Sequence, residues 1–160
     1  MLSTQQPKSL VIKESKIVHK SWIVHPLARF VTEETAAMLC KIDEEEIYKI
    51  SCWRYVVHVH GKGVSRFVSY ADFPAILALN PPTPEDFALW RKRWRTKSKS
   101  KQAPEFWTNF YKQQFQKAES PGNLLCWGKL VALVKQVMSS EALQRLREVY
   151  KREKYAWQHF

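Results

Sequence analysis

His58 and His60 stand two residues apart, and on a strand that spacing puts both rings on one face. An H-x-H pair can begin a metal site, but a complete site needs a third and fourth ligand. Cys52 and His25 are the only imaginable additions, and nothing in the sequence brings them near, so the pair reads as two ordinary strand histidines. The carboxylates cluster as Asp43-Glu44-Glu45-Glu46, where a helix N-terminus explains them. The chain has no Gly-rich phosphate loop, no G-x-S-x-G and no H-E-x-x-H. Catalysis therefore has no candidate residue, and no cofactor or metal is expected.

The remaining chemistry is electrostatic. Arg91-Lys92-Arg93-Trp94-Arg95-Thr96-Lys97-Ser98-Lys99-Ser100-Lys101 holds seven cations and no anion. As a phosphate-contacting strip it would add affinity and salt dependence without choosing sequence; the alternative is a solvated helix end, and the first is preferred because no acid nearby is expected to neutralise the run. Lys and Arg number 26 against 15 Asp and Glu, a net charge of +11. The imbalance lies beyond residue 80, where 16 basic residues face 7 acidic ones. A charge of this size is an argument about partners, first nucleic acid and second an anionic membrane. Seven tryptophans, most at helical spacing, could stack on unpaired bases, but core packing accounts for them more simply.

Three cysteines at wide spacing, Cys40, Cys52 and Cys126, form no CxxC pair and suggest reduced thiols. The start of the chain lacks the pattern of a signal peptide, and no apolar run is long enough to span a bilayer. A soluble cytoplasmic protein is expected, with no membrane partner and no evident small-molecule effector.

Positioning these residues requires elements. Asn80-Pro81-Pro82-Thr83-Pro84 is a stiff joint, which divides the chain into a tail or arm over 1–25, a head over 26–80 and a basic helical region over 81–160. Residues 10–24 read equally as strand or arm. Thr32 is an N-cap for a helix over 33–40, and Asp43 an N-cap for a second helix over 44–52. Tyr55–His60 and Val64–Ser69 flank Gly61-Lys62-Gly63 and read as a hairpin. A three-residue loop would pair Val57 with Phe67 and His58 with Arg66. A short helix over 71–79 follows. Beyond the joint the pattern predicts helices over 84–97, from Pro104 to 118, 124–138 and 140–157, with a turn at Ser120–Asn123. Leu130 and Val134 belong to an apolar stripe that serves either as core or as a contact between two copies, and the second use is preferred.

Helix, tight turn, helix, hairpin is the winged helix-turn-helix plan, so the expected fold is mainly α with a β-hairpin wing and a C-terminal helical dimerisation region. The run from Thr32 to Ile50, with its paired Ala36-Ala37, Leu39, polar cap and Tyr48-Lys49 ending, resembles the heads of the MerR and excisionase families. The whole chain is similar to the small cyanobacterial MerR-type repressors of type V-K CRISPR-associated transposons. Lys41 stands where such heads usually carry Gly, and the acidic start of the second helix is unusual for a DNA reader. The resemblance implies a homodimeric repressor of transcription that binds double-stranded DNA. Glu45, Glu46, Tyr48, Lys49 and Arg54 would lie at the reading helix, His60, Lys62 and Arg66 on the wing, and Arg91, Lys92, Arg93 and Arg95 against phosphates. An excisionase-like architectural factor and a single-stranded-RNA-binding accessory subunit are the alternatives.

Overall fold

The computed structural model describes residues 14–97 and 102–159. It is a mixed α/β structure, a small four-stranded sheet with one short helix followed by four longer helices. The strands are β1 (Ile17–His19), β2 (Ile47–Cys52), β3 (Val57–Gly61) and β4 (Val64–Val68), in that spatial order. β1 runs parallel to β2, and β2, β3 and β4 are antiparallel neighbours. The strand alternative for residues 10–24 is thus realised over Ile17–His19; residues 10–13 lie outside the described residues.

Helix α1 (Glu33–Cys40) starts as its sequence requires. The Thr32 hydroxyl accepts from the Thr35 N–H at 3.1 Å, and the Thr32 N–H donates to the Thr35 hydroxyl at 3.3 Å. Lys41 ends it in the left-handed region, φ 59° and ψ 44°, and the Ile42 N–H returns to the Ala37 carbonyl at 3.1 Å. A left-handed cap is a position that favours Gly, and Lys holds it here.

The expected second helix over 44–52 does not form. Glu44–Glu46 is a single 3-10 turn, closed by the Glu46 carboxylate accepting from the Asp43 N–H at 2.9 Å. The chain then enters β2. Ile47 and Ile50 are both buried although an odd spacing would send them to opposite faces of a regular strand. A register shift between Ile47 and Lys49 resolves this: the bulge around Tyr48 brings both isoleucines to the interior. The i, i+3 apolar spacing that resembles a helix is the spacing of a bulged strand.

The hairpin forms in a register one residue from the expected one. Gly61 pairs with Val64, leaving a two-residue Lys62-Gly63 turn with Gly63 at φ 71°. Val57 therefore pairs with Val68, His58 with Phe67 and Arg66 with Val59. Gly61 has a steric reason. A Cβ there would lie 2.8 Å from both the Glu46 carbonyl oxygen and Ile42 Cδ1, where the Lys62 N–H also bonds Glu46 at 2.9 Å.

No helix forms over 71–79 beyond the turn Tyr70–Asp72. Pro74 lacks an N–H and holds Phe73 in extended backbone, φ −87° and ψ 129°. The carbonyls of this segment are taken by ring donors from two later helices, α2 (Pro84–Lys97) and α3 (Glu105–Gln116). Trp90 donates to Phe73 at 3.1 Å, Trp107 to Asp72 at 3.0 Å and Tyr111 to Ala75 at 2.8 Å.

Two further helices, α4 (Pro121–Val134) and α5 (Ser140–Gln158), complete the fold. Ser120–Asn123 is the start of α4 rather than a free turn, because the Ser120 hydroxyl accepts from the Asn123 N–H at 2.9 Å and Pro121 occupies the first turn. Pro104 caps α3 one position earlier than expected. One cluster of buried side chains runs from Leu27 to Val149, with Trp90, Trp94 and Trp107 at its centre. Leu130 and Val134, expected at a contact between copies, are interior residues of the single chain.

Candidate nucleic-acid interface

The antiparallel register divides the sheet's residues between two faces. Ile50, Cys52, Val57, Val59 and Val68 point inward. The outward positions are Lys49, Ser51, His58, His60, Ser65 and Phe67, in cross-strand rows Lys49–His60–Ser65 and Ser51–His58–Phe67. Tyr48 joins this face through the bulge, its ring 5.2 Å from that of His60. His58 lies 4.7 Å from the Phe67 ring, and its Nε2 is 3.1 Å from the Ser65 hydroxyl. Tyr48 and Phe67 are 57% and 65% exposed, unusual for large rings with a core available. None of the four strands contains Asp or Glu.

Cations frame the same face. Lys20 follows β1 and is tied to β2 through its N–H to the Cys52 carbonyl at 2.8 Å. A hydrogen bond from Lys20, then its charge, hold the Lys49 ammonium below the usual lysine range. Lys62 projects from the hairpin tip, 3.8 Å from the Glu46 carboxylate. The two buried thiols, Cys40 and Cys52, are pushed above their ordinary range by burial, so they are poor nucleophiles.

The expected site residues fall into groups. Tyr48, Lys49, His60 and Lys62 gather on the outward face and tip. Glu45 is exposed on the 3-10 turn, while Glu46 is occupied by the Asp43 N–H and Lys62, so neither sits on a reading helix. Arg54 lies in the β2–β3 connection over the Tyr55 ring at 5.0 Å. The observed register turns Arg66 to the other face, where it reaches the Leu39 carbonyl at 3.5 Å. In its place the register presents Phe67 and Ser65, and a hairpin loop one residue shorter is the signal that finds these two. His58, on the outward face in either register, and Lys20, placed by the pairing of β1 with β2, also join the face unpredicted.

The basic strip is less uniform than its sequence. Arg91 donates to Gln136 at 2.7 Å. Arg93 is neutralised by Asp72 through two bonds of 3.1 and 3.2 Å, which corrects the expectation that no acid stands near. Lys92 and Arg95 are exposed, and residues 98–101 lie outside the described residues. Core packing accounts for Trp90, Trp94 and Trp107, which are buried, and for Trp127, which packs against the same cluster, while Trp22, Trp53 and Trp157 are exposed.

Among the described residues no helix is long and apolar enough to cross a membrane. No protein-family profile, curated protein or solved structure matches the chain.

Proposed function

We propose that this chain is a duplex-DNA-binding regulator that contacts DNA with the outward face of its sheet. The observation that carries this reading is an acid-free sheet exposing Lys49, His60, Tyr48 and Phe67, with Lys20 and Lys62 at its margins. Three strands spaced by about 4.8 Å give a face roughly 10 Å across, which suits a major groove about 12 Å wide. Lysine and histidine donors can reach the N7 and O6 acceptors of guanine, and an apolar ring can meet the thymine methyl. The β3–β4 hairpin keeps the role of a wing, with Lys62 against phosphate, and Arg91, Lys92 and Arg95 add phosphate contacts. Bound at a promoter, such a protein represses by occupancy.

A single-stranded substrate is the second reading, favoured by the exposed Tyr48 and Phe67 rings. Gel shifts with duplex and single-stranded probes of one length separate the two. The expected result is tighter, salt-dependent duplex binding, weakened about 5- to 100-fold by Lys49→Ala, the range of one good base contact. Preference for the single strand, abolished by Phe67→Ala, selects the second reading. Binding that ignores both substitutions removes the sheet from the interface.

A further inference from the structure

Helices α4 and α5 form an antiparallel pair whose outer side is left open. α3 covers one side of the pair, with Phe115 at 5.3 Å from the Tyr150 ring. Between the two helices, with Phe115 of α3 reaching the larger one, two hollows of about 400 and 250 Å³ share Leu125 and Tyr150 and so form one continuous groove. α5 lines it with Leu143, Arg147, Tyr150, Lys154 and Trp157, and α4 with Pro121, Leu125, Gly128 and Lys135. With Leu146 on α5 and Leu124, Val131 and Ala132 on α4 also in the lining, the positions recur at steps of three and four along both helices. This is the stripe a helix presents to another helix lying beside it. Gly128 allows the close packing: a Cβ there would sit 2.6 Å from the Tyr150 ring.

The groove's chemistry is one-sided. Its floor is apolar, and Leu125 remains 48% exposed. Its rim carries Lys129, Lys135, Arg147 and Lys154, and no carboxylate lines either hollow. Among the described residues none of these four cations takes part in an ion pair. A second copy docking by the same face would bring like charges together. Nucleic acid would use the cations but leave the aliphatic floor of Leu125 and Leu143 unmatched.

We propose that this groove receives an acidic amphipathic helix of a partner protein, its apolar stripe on Leu125, Leu143 and Tyr150 and its carboxylates on the flanking cations. α4 is about 20 Å long, so the bound helix spans three to four turns. The site is separate from the sheet face and does not depend on it.

The test is fluorescence anisotropy with the full chain and a labelled amphipathic peptide of about four turns. Its leucines follow steps of four and three, and all other positions are glutamate. The expected result is saturable micromolar binding, absent for the same peptide with lysine in place of glutamate. Leu125→Glu should weaken it at least tenfold. The double change Lys129→Glu and Arg147→Glu, both at exposed positions, should exchange the preference so that the lysine peptide binds. Circular dichroism of each variant confirms that the fold is kept. Binding untouched by these substitutions, or no binding at 100 micromolar, overturns the proposal. A wild-type dimer in sedimentation that Leu125→Glu dissociates would assign the groove to a second copy instead. Loss of duplex-DNA binding in the double variant would assign it to nucleic acid.

Discussion

Three tryptophans meet at the centre of the molecule, and they differ in one atom's surroundings. Trp107 stands edge-on to Trp90 and Trp94, with ring centroids 5.4 and 5.0 Å away. The Trp90 and Trp107 indole N–H groups have carbonyl partners, while Trp94 Nε1 is buried with none among the described residues. A buried donor without a partner costs about 1–3 kcal/mol. Tryptophan to phenylalanine removes similar ring volume at either site, so the comparison isolates the hydrogen bond. Trp90→Phe orphans the Phe73 carbonyl, whereas Trp94→Phe removes an existing penalty. Urea denaturation should find Trp90→Phe less stable than Trp94→Phe by about 1–3 kcal/mol. Equal losses would show that the Trp94 donor is satisfied in solution.

At the scale of elements, α1 and the four later helices were legible because their signals are local. Thr32 caps α1, and the apolar residues of the later helices repeat at helical spacing. The start of α4 was not legible, because Ser120-Pro121-Gly122-Asn123 carries turn residues and its cap shows only in the Ser120–Asn123 bond. β2 was not legible for an equally local reason. Asp43 with Glu46 is a helix-start signal, and Ile47 and Ile50 continue it at i, i+3; only pairing with β1 and β3 makes the segment a bulged strand. Pairing partners distant in sequence overrode the local pattern. The candidate site suffered most, since a reading helix became a strand and a one-residue register change exchanged Arg66 for Phe67. The left-handed Lys41 is the element-scale position where sequence and structure agree on strain. Gly there avoids the clash of Cβ with backbone, and its extra freedom in the unfolded chain offsets only part of the gain. Lys41→Gly should raise stability by about 1 kcal/mol in thermal or urea unfolding. A loss of stability would mean that the Lys41 side chain contributes more than its backbone costs.

The Pro-rich joint at 80–84 marks a division in the sequence, yet a buried ion pair and several hydrogen bonds cross it. Asp86, 1% exposed, pairs with Arg29 and also accepts the Thr83 N–H at 2.9 Å. Arg29 in turn donates to the Asn80 carbonyl at 2.9 Å and to Pro81 at 3.0 Å, so one guanidinium fastens the joint to the head. Further along, Glu34 on α1 accepts from Gln114 at 3.0 Å and pairs with Lys117 at 2.7 Å. The Phe73–Ala75 carbonyls are held by rings of α2 and α3. A head cut free at the joint would expose Phe30 and Phe73 and lose the donors for its own backbone. The two halves therefore unfold together. Helical ellipticity and tryptophan fluorescence should report one coincident urea transition. Asp86→Ala strands Arg29 and leaves the Thr83 N–H without its carboxylate acceptor, which should shift both probes equally, by about 3 kcal/mol. Two separated transitions, or a shift confined to one probe, would show that the joint divides the protein into independent units.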